Sequence, residues 1–200
     1  VFWILVLILV GIVYQFFKSG ESIFFRSCSI QSKKLLYRKQ PKIFKEKKIH
    51  YSDVKPIKKI KINNPAGNIE VDRSKDGSIL IEPIIRVYHK NQDRAKKIHK
   101  KIEVFTRRSG GKLSVDIDTD RNFPYRRVRI VFKCFLPEDL ELDLKNRYGN
   151  IEIKNVGGKI SINQSQGDLF MKDIDADLKI RSHHGLIRIY NIDKKVELSS

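Results

Sequence analysis

The 200-residue chain has only two cysteines, Cys28 and Cys134, which excludes the disulfide scaffold of small secreted domains. The apolar context "VFKCFLP" predicts that Cys134 is a buried small hydrophobe. Catalytic motifs are also missing: no glycine-rich phosphate loop precedes a helix, and no serine, cysteine or carboxylate pair has a recognisable catalytic neighbourhood. We therefore expect no enzyme activity, no cofactor and no small-molecule substrate.

Acidic residues are scarce, at 23 against 41 Lys and Arg, which gives a net charge of +18. The imbalance is uneven along the chain. Residues 1–49 carry ten basic and two acidic residues, a net of +8, and residues 50–147 carry 23 and 14, a net of +9. Residues 148–200 carry eight and seven, a net of +1. The basic excess therefore lies upstream of the C-terminal part.

The opening segment 1–17, "VFWILVLILVGIVYQFF", contains no charge. A bilayer-spanning helix needs about 20 apolar residues, so residues 1–17 are predicted to be a single-pass transmembrane helix. Because the chain begins with Val1 rather than Met, we expect that this helix is truncated. A signal-peptide core and a buried soluble helix are the alternatives; the following "FFKSGES" has no small-residue cleavage pattern.

Residues 18–54 are predicted to be a basic juxtamembrane connector with no sustained hydrophobic period. Its cations suit contact with anionic lipid, and an ordinary solvated linker explains the composition equally well. From residue 55 to 147, runs such as "GSILIEPIIRVY" alternate apolar and polar residues, which predicts strands. One interruption, "QDRAKKIHKKIEVF", has Ala95, Ile98, Ile102 and Phe105 at helical spacing and predicts a short amphipathic helix near residues 92–104.

Residues 148–200 contain three repeats with a period of eighteen. Glycine recurs at Gly149, Gly167 and Gly185, and six residues after each glycine comes Asn155, Asp173 or Asn191. At positions +2, +4, +7, +11 and +13, counted from each glycine, all fifteen side chains are aliphatic or methionine. Glycine, asparagine and aspartate suit corners because they tolerate left-handed backbone.

Eighteen residues suffice for two short strands and two corners, but not for a strand–helix–strand unit. A single repeat cannot bury its own apolar row, whereas stacked repeats form a continuous core. The fold class predicted is therefore mainly β: a β-solenoid of two-strand rungs stacked about 4.8 Å apart. "LELDL" before the repeats reads as half of an earlier rung, and the segment that begins at Gly67, "GNIEV", as an outlying, degenerate copy.

The stretch "VRIVFKCFLPEDLELDLKNRYGNIEIKNVGGKISINQSQGDL", with the third repeat after it, resembles the bacterial DUF4097 family of adhesin-like β-strand-repeat proteins. The resemblance covers roughly residues 57–200. It implies a repeat fold on the outer side of the cytoplasmic membrane, and it assigns no catalytic residues. The high positive charge of this chain departs from a simple extracellular adhesin.

Two acidic runs and one histidine pair are the candidates for metal ligands. The runs place Asp116, Asp118 and Asp120, and Asp173, Asp175 and Asp177, on alternate positions, and such oxygens suit Ca²⁺. Corner and turn positions explain the second run better. His183 and His184 lack a further ligand at metal-site spacing, so an exposed corner is the preferred interpretation. We expect no metal site.

Two basic clusters are the candidate anion-binding residues: Arg107, Arg108 and Lys112, and Arg126, Arg127 and Arg129. Arg127 and Arg129 are expected to share one strand face while Val128 and Ile130 point inward. Such residues suit nucleic-acid backbone, acidic glycans or lipid headgroups. A general basic bias of the sequence accounts for the clusters without any ligand.

These patterns support two functional hypotheses. The first is a membrane-anchored, non-enzymatic β-solenoid whose surface mediates adhesion or envelope interactions, with edge-to-edge self-association as a further prospect. The second is a membrane-tethered sensory or scaffolding module whose basic region binds anionic lipid, polymer or nucleic acid. The cations after the apolar segment favour a cytoplasmic position, whereas the family resemblance favours an extracytoplasmic one, which is the prediction adopted.

Overall fold

The computed structural model describes residues 41–46, 48–119, 125–192 and 194–199. They fall within one compact unit, Gln40–Ser200. The predicted transmembrane segment 1–17 and most of the connector 18–54 lie outside the described residues. Within the described ranges, no helix is long and apolar enough to cross a bilayer.

The prediction of a mainly β fold is confirmed: the described residues form one curled sheet of 13 strands together with one α-helix. The part before the repeats contains β1 (Lys42–Lys45), β2 (Ile49–Tyr51), β3 (Lys59–Asn64), β4 (Ile69–Arg73), β5 (Ile79–Val87), α1 (Gln92–His99), β6 (Ile102–Ser109), β7 (Lys112–Thr119), a 3₁₀ turn (Tyr125–Arg127) and β8 (Val128–Leu136). The C-terminal part contains β9 (Glu141–Tyr148), β10 (Ile151–Gln166), β11 (Leu169–His184), β12 (Ile187–Ile192) and β13 (Val196–Ser199).

Strands of the repeat region pair in parallel, and each residue lies opposite its equivalent in the next repeat. Ile151 of β10 lies opposite Leu169 of β11, and Ile160 lies opposite Leu178. The same offset joins β9 to β10 and joins β11 to both β12 and β13. Equivalent apolar side chains therefore stack in columns, and these columns are buried from β9 through β11.

The structure differs from the prediction of two short strands per repeat. β10 and β11 are each one continuous, bent strand of 16 residues. The bend follows from left-handed backbone at Asn155, with φ +54°, and at Asp173, with φ +56°. Hydrogen bonding between neighbouring strands resumes directly after each bend, so one strand runs through both segments of the repeat.

The segment after Gly67 pairs with the repeats, although it lies far from them in sequence. Ile60 of β3 pairs with Leu142 of β9, and Ile69 of β4 pairs with Ile151 of β10, both in parallel. In the sequence, β5 to β8 lie between β4 and β9. β7 then pairs with the other edge of β3, and β8 with the other edge of β4. The order of strands in the sheet therefore departs from the order in the chain.

Helix α1 is shorter than predicted. Asn91 caps its N-terminus by accepting a hydrogen bond from the backbone N–H of Arg94 at 2.9 Å. Ala95 is fully buried and Ile98 is half-buried, as their helical spacing indicates. The helix ends at His99, however, and Ile102 begins β6. The apolar spacing from Ile102 onward is compatible with a strand as well as with a helix. The segment forms a strand because it pairs with β7.

Candidate functional site: the aromatic face of the sheet

In the repeats, the side chains that alternate with the buried columns point outward. Three residues after each repeat glycine lie Glu152, Phe170 and Arg188, which pair across neighbouring strands. Five residues after each glycine lie Lys154, Lys172 and Tyr190, which pair in the same way. Two parallel rows of outward side chains result.

The rows continue onto β4 and β8, because Glu70 pairs with Lys133 and Asp72 pairs with Phe135. Together they form a surface that we call the aromatic face. It consists of Glu70, Asp72, Lys133, Phe135, Glu152, Lys154, Phe170, Lys172, Arg188 and Tyr190.

Two aromatic rings form the centre of one half of this face. The ring centroids of Phe170 and Tyr190 lie 5.6 Å apart. The Nζ atom of Lys154 lies 5.7 Å from the centroid of Phe170, within reach of a cation–π interaction. Tyr190 is 49% exposed, so much of its ring is available to a partner. Exposed aromatic residues next to cations are typical of protein-binding surfaces.

The other half of the aromatic face is charged and slightly concave. Lys154 pairs with Glu152, and Lys133 lies 3.8 Å from Glu70. The hydrogen bond and charge of Glu152 raise the pKa of Lys154 above its ordinary value. The depression between these side chains has a volume of about 160 Å³. Small-molecule pockets are usually about 300 Å³ or larger, so the face suits a macromolecular partner better than a small ligand.

Cys134 lies beneath this depression. It is 1% exposed, which confirms the prediction of a buried small hydrophobe. Burial, together with the nearby charge of Glu70, raises the pKa of the Cys134 thiol well above its ordinary range. A neutral, buried thiol is a poor nucleophile.

The corners that hold the face in place contain the predicted glycines. Gly149, Gly167 and Gly185 have φ between +132° and +134°, a backbone conformation that favours glycine. A Cβ atom on Gly167 would overlap the carbonyl oxygen of Gly149, and the same overlap would occur at each stacked corner. The other predicted corner residues, Asn155, Asp173 and Asn191, have φ between +54° and +56°.

A ladder of side chains joins the glycine corners. The backbone N–H of Asn150 donates to Oδ1 of Asn68 at 3.1 Å, and that of Asp168 donates to Oδ1 of Asn150 at 3.0 Å. The N–H of Leu186 donates to Oδ1 of Asp168 at 3.0 Å. Each corner is thereby tied to the next one, which fixes the spacing of the rows on the aromatic face.

A second set of polar side chains is buried inside the same corners. Its members occupy one register position on four neighbouring strands: Asn64, Asn146, Gln164 and Ser182. Gln164 donates to the carbonyl oxygen of Gly149 at 2.8 Å. The carbonyl oxygen of Gly149, at a tight corner, thus accepts a hydrogen bond from a side chain instead of from a neighbouring strand.

The candidate anion-binding residues form two separate groups, one on the β6–β7 hairpin and one at the start of β8. Arg107 and Arg108 are exposed on β6, and Lys112 begins β7. The guanidinium of Arg107 bonds to Asp116 at 3.0 Å and lies 5.3 Å from the centroid of Phe105. One of the three charges is therefore already compensated.

The second cluster differs from the strand face that the sequence predicted. Arg126 and Arg127 are exposed in the 3₁₀ turn before β8, so Arg127 does not share a strand face with Arg129. Arg129 Nη1 donates to the backbone carbonyls of Tyr125 at 2.7 Å and Val128 at 2.8 Å. Val128 and Ile130 are buried as expected. Anion binding at these residues stays a prediction.

The candidate metal ligands are mostly exposed. His183 and His184 are exposed at the corner before Gly185, and Asp173, Asp175 and Asp177 are exposed as well. Asp116 pairs with Arg107, and Asp120 lies outside the described residues. Within the part of the chain that the structure describes, no three His, Cys, Asp or Glu side chains are grouped closely enough to hold a metal ion.

Sequence reasoning missed Phe170 and Tyr190. The signal was present, since both aromatics occupy repeat positions where the other repeats have charged residues. The buried polar side chains inside the corners were missed for a different reason. They continue the inward alternation of the strand but are polar, so an apolar pattern does not include them.

Solved structures of two bacterial proteins show distant similarity. A "putative cell adhesion protein" from Clostridium sporogenes ATCC 15579 has a TM-score of 0.40 at 12% identity, over 76% of this chain and 99% of its own. A "putative adhesin" from Parabacteroides distasonis ATCC 8503 has a TM-score of 0.30 at 11% identity, over 79% and 97%. Similarity this distant carries no argument about fold or function. No family model and no curated protein matches the chain, so the resemblance to the DUF4097 family stays a prediction.

Proposed function

We propose that this protein is a non-catalytic binding module whose repeats form a short β-solenoid and whose aromatic face contacts a protein of the cell envelope. The observation that carries the proposal is the pairing of Phe170 with Tyr190 at outward positions that are charged in the other repeats. Aromatic residues supply much of the binding energy at protein interfaces. The stacked corners support this role, because they hold the rows at a fixed spacing without the partner.

The experiment uses beads that carry the full chain and isolated envelopes of the cells that produce it. In the double variant F170A/Y190A, we expect the bound fraction to fall at least tenfold, since truncating a hot-spot aromatic costs about 2 kcal/mol or more. The matched control is K145A/K179A, which truncates two exposed lysines outside the aromatic face, on β9 and on the C-terminal half of β11. Equal binding by both variants would contradict the proposal.

Salt separates this function from the alternative, a module that binds polyanions through Arg107, Arg108, Lys112, Arg126, Arg127 and Arg129. Binding by the aromatic face should change little between about 0.15 M and 0.5 M salt, whereas charge screening weakens polyanion binding steeply. A steep decrease that F170A/Y190A does not alter would favour the alternative.

We further propose that residues 1–17 anchor the protein in the membrane and that the repeats are extracytoplasmic. The uncharged length of this segment and the resemblance to envelope proteins support this arrangement. Protease treatment of intact cells should digest residues 57–200 while a cytoplasmic control protein survives. Protection of the repeats until the membrane is lysed would place them in the cytoplasm and contradict an envelope function.

A further inference from the structure

We propose that the exposed side of helix α1 binds the surface of an anionic lipid bilayer. The inference depends on the proposed membrane attachment in one respect: the attachment would keep the protein close to a bilayer. The side chains that would make the contact belong to the described structure and are distinct from the aromatic face.

The segment 90–101 concentrates positive charge. It contains six Lys or Arg residues and one acidic residue, Asp93. All six cations are exposed: Lys90, Arg94, Lys96, Lys97, Lys100 and Lys101. No other stretch of twelve described residues combines so many exposed cations with so little acid.

The packing of α1 directs these cations outward. Ala95 is fully buried and Ile98 is half-buried against the sheet. His99 stacks on Phe44 with ring centroids 4.1 Å apart and also pairs with Glu46. The inner side of the helix is thus occupied, and the lysines lie on the side that remains.

Most of this charge lacks a counter-ion in the described part of the chain. Among the described residues, no carboxylate forms an ion pair with Lys90, Arg94, Lys96, Lys97 or Lys100. By contrast, cations of the repeats are commonly paired, as for Lys194 with Asp175 at 2.9 Å. A concentrated, uncompensated positive surface attracts an anionic surface over about one Debye length.

The position of α1 favours lipid over other polyanions. The helix contacts β1 and β5, and β1 (Lys42–Lys45) lies within residues 18–54, the segment predicted to follow the membrane anchor directly. A tethered surface has a high effective concentration. The segment 90–101 contains no Phe, Tyr or Trp, whereas proteins that bind single-stranded nucleic acid commonly stack bases on aromatic rings.

The test measures the reactivity of individual lysines in the full chain toward an amine-acetylating reagent, by mass spectrometry. The chain is mixed with neutral phosphatidylcholine vesicles or with vesicles that also contain phosphatidylglycerol. We expect Lys90, Lys96, Lys97 and Lys100 to react several-fold more slowly with the anionic vesicles, and this protection should disappear in 1 M salt, where the Debye length is about 3 Å. Lys145 and Lys179, on β9 and β11, should react equally in both samples.

Two variants with the same loss of charge complete the test. In K96Q/K97Q/K100Q, Lys90 should react at the same rate with both vesicles, because each removed cation lowers binding about fivefold. Glutamine keeps the helix propensity of lysine, so the fold is retained. The control K145Q/K159Q/K179Q should keep the protection of Lys90.

Equal reactivity of the α1 lysines with both vesicles would overturn the proposal, as would protection that survives 1 M salt. Protection by single-stranded DNA without protection by anionic vesicles would overturn it in favour of nucleic acid. Flotation with neutral vesicles tests the N-terminal anchor separately. Flotation without selective protection contradicts only the α1 proposal. Selective protection without flotation on neutral vesicles contradicts only the anchor.

Discussion

The repeats and the region before them build the same sheet in different ways. From β9 to β13, the order of strands in the sheet follows the order in the chain, and the same strand pairing recurs with each repeat. From β1 to β8, antiparallel pairs and a helix are combined with parallel pairs between distant segments. The first region is nearly neutral and the second is strongly basic. The eighteen-residue period thus determines how the strands of the repeats pair, while the region before the repeats carries most of the positive charge of the sheet.

The largest expected effect concerns a stacked glycine corner. The substitution Gly167→Ala should lower the free energy of unfolding by about 4 kcal/mol, because it adds backbone strain and overlaps the carbonyl oxygen of Gly149. Gly77→Ala is the matched control in the irregular region: its φ is +71°, but a Cβ there meets open space. It should cost about 1 kcal/mol. Urea unfolding of the full chain in detergent measures both, and equal losses would show that the corners do not stack.

A second comparison uses one apolar column at two places. Ile180 of β11 is fully buried, while Leu198, its partner in β13, is 59% exposed. Ile180→Ala should cost about 3 kcal/mol, and Leu198→Ala less than about 0.5 kcal/mol. The same unfolding measurement applies. A large cost at Leu198 would mean that the last strand is covered in solution, as in the predicted edge-to-edge self-association.

The buried amides allow a third test within the repeats. Gln164→Leu preserves most of the volume but removes hydrogen bonds to the carbonyl oxygens of Gly149 and Asp168. We expect a loss of about 1.5 kcal/mol, because each carbonyl loses one hydrogen bond. The Gly149 carbonyl keeps the one from Asn146 at 2.9 Å, and the Asp168 carbonyl keeps the one from the backbone N–H of Ile151 at 3.0 Å. Gln166→Leu, at an exposed position of the same strand, should be nearly neutral. Similar stabilities of the two variants would show that these hydrogen bonds do not stabilise the corner.

The smallest effect is expected in the irregular region. Asn91→Ala removes the N-cap of α1 and should cost about 1 kcal/mol. Amide hydrogen exchange should rise in residues 92–99 and stay unchanged in β10 and β11. Gln92→Ala, one position later, is the control and should leave exchange in α1 unchanged. If exchange in the repeats rose with that in α1, the two regions would unfold as one unit.

The repeat corners could be predicted from sequence because glycine and Asn or Asp recur at a short, constant spacing. The pairing of Ile60 with Leu142 was not predicted, since the two strands are separated in sequence by several strands and a helix. The motif after Gly67 indicated that this segment is related to the repeats, but nothing local indicates that β7 pairs with the outer edge of β3 or that β8 pairs with the outer edge of β4. Such pairing is decided by long-range packing rather than by periodicity.

The candidate site was harder to predict than the fold. Outward positions have no apolar period, so the repeat pattern did not single out Phe170 and Tyr190. Charge clusters were visible, but their geometry was not: Arg129 donates to backbone carbonyls and Arg107 to Asp116. The amphipathic helix was predicted, and the outward direction of its cations follows only from its packing against the sheet.

The offset of one full repeat between paired parallel strands is the central claim, and a disulfide tests it most directly. Ser161 and Lys179 are direct partners on β10 and β11, and neighbouring strands lie about 4.8 Å apart, within the range that a disulfide bridges. In a C28S background, S161C/K179C should form an intramolecular disulfide under mild oxidation, whereas S161C/R181C, shifted by two positions, should not. Equal crosslinking of the two pairs, or preferential crosslinking of the shifted pair, would contradict the stacked arrangement and the aromatic face built on it.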